Sequence, residues 1–272
     1  MREKNVFEVE VFKDTREQSH GKYKNYTRQL TKRGTTVYDF LIDNVDFVPN
    51  ERMKIAVKPM GTVEAGRQLV KKTGETTAVL NFADALVPGG LVLSGATTQE
   101  ENLCRCSNLY ESLLTEVAHQ RYYNENIKGF GINGRKVGDS IYLDNLIYSR
   151  DVLFFKDDVT YNKVKPYVMD VITCPSPSCI IKPRELEYRI IKQRTEQIIK
   201  SAILSGVHNL VLGAWGCGAF MQDPVVVSEC FKATLKEYPA FSRVVFAIRN
   251  CSADSMLNNN YKTFCDTFGV RY

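Results

Sequence analysis

From Lys54 onward, short β-branched runs alternate with helical patterns, and two glycine-rich loops each follow directly on a buried-looking strand. Residues 55–57 read as a strand, 63–72 as a helix, and Thr77-Ala78-Val79-Leu80-Asn81-Phe82 as a strand buried in a sheet. A loop from Pro88 to Gly95 leads into a helix expected over 99–118. Strands are expected at 147–155 and 167–174, the second ending in the breaker-rich Cys174-Pro175-Ser176-Pro177-Ser178. The longest helix, 184–204, repeats Ile191, Ile198, Ala202 and Ile203 at helical spacing and stops at Gly206. A strand at 209–212, the second glycine loop, a helix at 224–238, a strand at 243–248 and a helix at 255–268 complete the pattern. This alternation predicts a three-layer α/β fold with a mostly parallel or mixed sheet flanked by helices. In such sheets ligands bind beyond the carboxyl ends of the strands, where both glycine loops fall. Residues 1–50 are polar and charge-dense, with weak helical stretches over 5–18 and 23–32. They read as an N-terminal extension, a partly helical cap on a domain of residues 51–272.

The 272 residues are 44% hydrophobic and 25% charged, enough apolar material for a sizeable core. That excludes a disordered or low-complexity chain. No window approaches the roughly 18 to 20 apolar residues of a membrane helix, and Met1-Arg2-Glu3-Lys4-Asn5 lacks the apolar run of a signal peptide. The expectation is a cytoplasmic monomer with no membrane partner. A net charge of +5 predicts no sequence-specific nucleic-acid binding and suits an anionic small molecule better. The eight cysteines (104, 106, 174, 179, 217, 230, 251 and 265) read as reduced, buried thiols. Cys104-x-Cys106 and Cys174-x4-Cys179 lack the spacing of zinc knuckles, and His20, His119 and His208 do not pair with them, so no metal and no cofactor is expected.

The first glycine loop places Gly89 and Gly90 after a strand, where the lack of a Cβ lets main chain approach a ligand closely. Gly90 to Gly95 has Walker spacing, but Ala96 and Thr97 stand where Lys and Ser/Thr belong, and no G-x-G-x-x-G follows the strand. Gln99-Glu100-Glu101 opens the next helix. Acidic residues in a first helical turn ordinarily complement the macrodipole on a solvated face, yet a short loop ties these to the ligand end of the sheet. The second loop runs Leu212-Gly213-Ala214-Trp215-Gly216-Cys217-Gly218-Ala219-Phe220-Met221-Gln222-Asp223-Pro224. Asp223 is a natural N-cap and Pro224 a natural first helical residue. The amides of 216–220 would then line a concave anion site near a helix N-terminus. Met221 stands where a dinucleotide fingerprint needs glycine, which favours nucleotide-type phosphate binding without a Rossmann cofactor. Trp215 reads as a packing residue.

The run Gln99-Glu100-Glu101-Asn102-Leu103-Cys104-Arg105-Cys106-Ser107-Asn108-Leu109-Tyr110 behind a glycine loop, with the loop of residues 212–220, resembles the poly(ADP-ribose) glycohydrolase family in its microbial, macrodomain form. The resemblance covers roughly residues 50–270. It implies a macrodomain that hydrolyses the ribose–ribose O-glycosidic bonds of poly(ADP-ribose) without metal and releases ADP-ribose. The partners implied are ADP-ribose, its polymer or ADP-ribosylated macromolecules. On the same resemblance Glu101 would be the catalytic acid and Glu100 would hold ribose hydroxyls. Gly89 and Gly90 would approach the diphosphate from one side, and Gly216, Cys217, Gly218 and Ala219 from the other, with Gly213 a further substrate-binding residue. Phe220 would orient a ribose, with Gln99 and Asp84 as further substrate contacts. Three positions depart from the family pattern: Leu91 replaces a third consecutive glycine, Val87 an asparagine before Pro-Gly, and Gln222 an asparagine after the second loop. A side chain at position 91 would crowd the diphosphate or the terminal ribose. That leaves a mono-ADP-ribosyl hydrolase and a non-catalytic ADP-ribose-binding macrodomain as alternatives. A cysteine hydrolase built on Cys217 would need a histidine, and the nearest, His208, lies nine residues upstream.

Cleavage through an oxocarbenium-like transition state needs a proton for the departing oxygen and an activated water. A carboxyl in this role must begin protonated, against about 0.3 to 1 kcal/mol of helix-dipole preference for the anion, so burial has to outweigh the dipole. No second carboxylate is evident for the opposite face, and the substrate's own phosphate would position the water.

Overall fold

The computed structural model of the chain describes residues 6–132, 141–178, 181–249 and 255–271. Cys179, Cys251 and the extreme N-terminus, discussed above, lie outside them. Seven strands form one mixed sheet in the order β1-β4-β5-β3-β6-β7-β2. They are β1 (Thr35–Tyr38), β2 (Lys54–Lys58), β3 (Thr77–Phe82), β4 (Leu146–Lys156), β5 (Lys163–Cys174), β6 (Asn209–Leu212) and β7 (Arg243–Ala247). Only β4 runs against its neighbours; the pairs β2–β7, β7–β6, β6–β3 and β3–β5 are all parallel.

Strand periodicity sorts the core into two layers. Ala78 and Leu80 of β3 and Leu210 and Leu212 of β6 face one side, where they meet three helices. These are α8 (Arg184–Leu204), α9 (Pro224–Glu237) and α10 (Ser255–Phe268), contributing Ile191, Ile198, Phe231 and Phe264. Val79, Val171 and Val211 face the other side. There they pack on α1 (Val6–His20), α3 (Thr62–Thr73) and α4 (Gln99–Cys106) through Phe12, Val63, Leu69 and Leu103. β3 is apolar on both faces because it is covered on both, as a central parallel strand must be.

Three expectations change. The helix expected over 99–118 is broken into α4, α5 (Leu109–Leu113) and α6 (Glu116–Ala118). At the first break Ser107 is extended (φ −149°), and the Asn108 side chain accepts the Leu153 amide of β4 at 2.9 Å. Strand β5 begins at Lys163, four residues earlier than expected, because register shifts near its start absorb Pro166. The N-terminal residues also do more than cap. β1 pairs antiparallel with β4, and Phe12, Leu30 and Val37 lie in the same core layer as α3 and α4. The remaining helices are α2 (Lys24–Gln29) and α7 (Asn124–Ile132). Among the described residues no helix is long and apolar enough to cross a membrane.

Candidate active site

Helix α4 starts where β3 ends, and Gln99 makes the joint. Its side-chain oxygen accepts the Phe82 amide at 2.9 Å, and its nitrogen donates to the Leu80 carbonyl at 2.8 Å and to Thr62 Oγ1 at 3.2 Å. The amide group thus continues the hydrogen bonding of the sheet, which makes Gln99 an anchor as well as a cleft-lining residue. With α4 fixed this way, Glu100 and Glu101 turn inward and are 2% and 4% exposed, not on a solvated face. Glu100 accepts the Asp84 amide at 2.7 Å and Asn81 Nδ2 at 3.1 Å. Burial nevertheless holds its carboxyl well above the usual carboxylate range; the two hydrogen bonds offset part of the rise and the nearby Asp84 and Glu101 charges add to it. Glu101 Oε1 accepts the Leu91 amide at 2.9 Å, and Thr98 donates its hydroxyl to Glu101 Oε2.

The first glycine loop lies directly on these carboxyls. Gly90 has φ +58°, and a Cβ there would sit 2.7 Å from Glu101 Oε1 and 3.2 Å from Glu100 Oε2, so glycine is required twice over. Gly89 packs elsewhere: its Cβ would meet the Tyr110 ring at 2.8 Å. Leu91 has φ −98°, ordinary for a residue with a side chain, and is 59% exposed. Asp84 shapes the loop, its Oδ1 accepting the amides of Leu86 at 2.7 Å and Val87 at 3.0 Å.

In the second loop the buried Trp215 donates its indole N–H to the Cys174 carbonyl at 2.9 Å, tying the loop to the end of β5. The amides of Gly216, Gly218, Ala219 and Phe220 donate to no other described residue, whereas that of Cys217 is used on Ala214 at 3.1 Å. The expected N-cap is present: Asp223 accepts the Val225 amide at 2.8 Å and Pro224 is the first helical residue. Asp223 already occupies the start of α9, and the unengaged donors at this end of the cleft are the loop amides. Gly213 is a packing glycine whose Cβ would press on the Ala247 carbonyl and the Phe82 ring, both at 2.8 Å.

Together the loops border a cleft of about 530 Å³. Of the residues expected at the site, Asp84, Gly90, Gln99, Glu100, Glu101, Gly216, Gly218, Ala219 and Phe220 line it; Gly89, Gly213 and Cys217 do not. Cys217 is buried with its thiol against the Trp215 carbonyl at 3.6 Å, and burial pushes that thiol upward. His208 is exposed before β6, so no imidazole serves Cys217 as a base. The six described cysteines are all buried, and Cys174 is pushed up to about 12 by desolvation, which disfavours the thiolate that nucleophilic or metal chemistry needs. Among the described residues no three His, Cys, Asp or Glu side chains converge as a metal site.

Several lining residues escape sequence reasoning. Thr98 had a signal: Thr98-Gln99-Glu100-Glu101 is the T-x-x-E of a capping box, but its hydroxyl goes to the Glu101 carboxyl and makes no bond to the helix backbone. Ser176, Asn260 and the pair Asp158–Arg249 arrive from distant segments and carry no local pattern. Arg249, the one cation among the described lining residues, approaches the buried Asp158 carboxylate at 3.6 Å and donates to its carbonyl at 3.1 Å.

A mixed sheet in this order, with paired buried glutamates under a glycine loop at its carboxyl edge, defines an α/β protein of the macrodomain-like class. The family model described as microbial-type PARG, catalytic domain, matches residues 11–157. A poly(ADP-ribose) glycohydrolase structure from Thermomonospora curvata is 30% identical with a TM-score of 0.81, covering 97% of this chain and 100% of that one. The same organism's enzyme bound to the inhibitor ADP-HPD is 28% identical with a TM-score of 0.80, covering 96% and 99%. The Deinococcus radiodurans enzyme in complex with ADP-ribose is 29% identical with a TM-score of 0.68, covering 93% of each chain. No curated protein matches the chain. The chain belongs to the microbial-type poly(ADP-ribose) glycohydrolase family and is a glycoside hydrolase of that type.

Proposed function

We propose that this chain cleaves the ribose–ribose O-glycosidic bonds of poly(ADP-ribose) and releases ADP-ribose, with Glu101 as the acid and then the base. One observation carries the reading: Glu101 is buried in the cleft where the first glycine loop meets α4, one carboxyl oxygen on the Leu91 amide and the other on the Thr98 hydroxyl. Those contacts fix its direction. Glu101 gives a proton to the departing ribose oxygen as the anomeric C–O bond breaks and positive charge develops on the sugar. A water then adds to the anomeric carbon and returns a proton to the carboxylate. The unengaged amides of Gly216, Gly218, Ala219 and Phe220 suit a diphosphate, whose own oxygens would orient that water. Glu100, favoured in its neutral form and lining the same cleft, would meet ribose hydroxyls.

The cleft volume falls within the range of about 300 to 1,000 Å³ usual for small-molecule sites. ADP-ribose in the Deinococcus structure and ADP-HPD in the Thermomonospora structure support the ligand class. Leu91 keeps the loop backbone intact, since its φ needs no glycine and its amide holds Glu101, while its side chain lines the cleft. The six buried free thiols suit a reducing compartment such as the cytoplasm.

Incubation with poly(ADP-ribose) and detection of released ADP-ribose tests the activity. Glu101→Gln is expected to keep ADP-ribose affinity while losing more than about a hundredfold in turnover, the scale of general acid–base catalysis. Unchanged turnover in that variant removes Glu101 from the mechanism.

A further inference from the structure

Arg105 lies one helical turn behind Glu101 on α4 and is fully buried. Its Nη2 donates to the Ala96 carbonyl in the loop, and its Nε donates to the Glu8 carbonyl of α1 at 3.2 Å. Its own carbonyl accepts the Thr15 hydroxyl of α1 at 2.6 Å. Nη1 has no hydrogen-bond partner among the described residues, and no described carboxylate lies within 4.0 Å of the guanidinium. The Tyr161 side chain also stands against the guanidinium, with the Glu8 carboxyl and the Cys104 and Cys106 thiols as the other titratable groups around it; burying a full charge there without an ion pair is costly. When Glu101 acts as the acid, the carboxylate it leaves adds an opposite charge one helical turn away.

We propose that Arg105 is a positioning residue for the reaction at Glu101. It pins Ala96, and so holds Thr98, two residues on, in its bond to Glu101. Its charge favours the carboxylate left after proton transfer. The proposal rests on Glu101 acting as the acid.

The test compares wild type, Arg105→Gln and Arg105→Lys on poly(ADP-ribose), with ADP-ribose affinity measured by calorimetry. Arg105→Gln lowers kcat by about tenfold or more and leaves ADP-ribose Kd within about twofold, as expected when reacting groups are misplaced and binding is intact. It also moves the alkaline limb of kcat to higher pH, because losing a nearby positive charge helps a carboxyl keep its proton. Arg105→Lys keeps the charge without the planar fork, so the limb stays in place while kcat falls less. If the Gln variant fails to fold, the Lys variant alone decides. Undiminished kcat in the Lys variant overturns the proposal, as does a loss of kcat that tracks ADP-ribose affinity and thermal stability with the limb unmoved. Absence of release by wild type sinks the Glu101 reading and this proposal together; release by wild type with unaltered variants sinks this one alone.

Discussion

Glu100 shows how one side chain couples catalytic geometry to stability. Complete burial outweighs the protein donors that hold both of its oxygens and favour the anion, so the fold favours the protonated acid. Raised in the folded state, this group contributes stability that is complete below the ordinary carboxylate range and is lost as pH rises through its folded value. The slope approaches about 1.4 kcal/mol per pH unit for one proton. Glu100→Gln removes that dependence: urea melts across a pH series should show a flatter curve for the variant, with its relative stability growing toward neutral pH. Parallel curves would mean that Glu100 ionises normally in the fold. The substitution is tolerable because Asn81 Oδ1 is buried without a partner among the described residues. A flipped Asn81 amide can then accept from the new Gln, with Thr173 Oγ1 still within reach at the other end. The importance of the carboxyl pair was legible in the sequence from its spacing behind a glycine loop. The environment of Glu100 was not, since Asn81 reaches it from β3 and is itself held by Thr173 of β5.

The two glycine loops are alike in composition and opposite in construction. In the first, Gly90 holds a left-handed backbone against two carboxyls, so Gly90→Ala forces Glu101 to move. In the second, a Cβ at Gly218 meets nothing within 4 Å, so a side chain there projects into open space beside the unengaged amides. Gly218→Val is therefore expected to fold normally, within about 0.5 kcal/mol of wild type, and to weaken ADP-ribose binding. Gly90→Ala should reduce turnover and stability together. Melting curves and calorimetric titration of both variants check the contrast, and normal ADP-ribose affinity in Gly218→Val would remove the amide cradle. Strand and helix positions in this half of the chain followed from periodicity and capping residues. The broken helix after Gln99 did not, because Ser107 and Asn108 leave the helix to satisfy backbone groups of β4, a partner nearly fifty residues away.

At the scale of the whole molecule, residues 6–38 belong to the structure that holds the site. They supply the edge strand β1, three buried apolar side chains and, through α1, the carbonyl that Arg105 grips. Phe12, Leu30 and Val37 each bury about 1.5 to 3 kcal/mol of apolar side chain, a sum comparable to the 5 to 15 kcal/mol that keeps a typical domain folded. Deleting residues 1–38 should therefore abolish cooperative melting by circular dichroism, where loss of a detachable cap would leave the transition in place. The polar texture of this stretch concealed its contribution, since only isolated positions such as Phe12 and Val37 point inward. The family model, which begins at residue 11, includes the later part of α1 in the shared unit. The second loop, finally, gives the molecule its own optical gauge. Trp215 is the sole indole in 272 residues, and it is seated beneath the amides proposed to grip the diphosphate. Intrinsic fluorescence thus originates at a single spot, and a shift in its emission on adding nucleotide would report occupancy of the intact, unlabelled enzyme in real time.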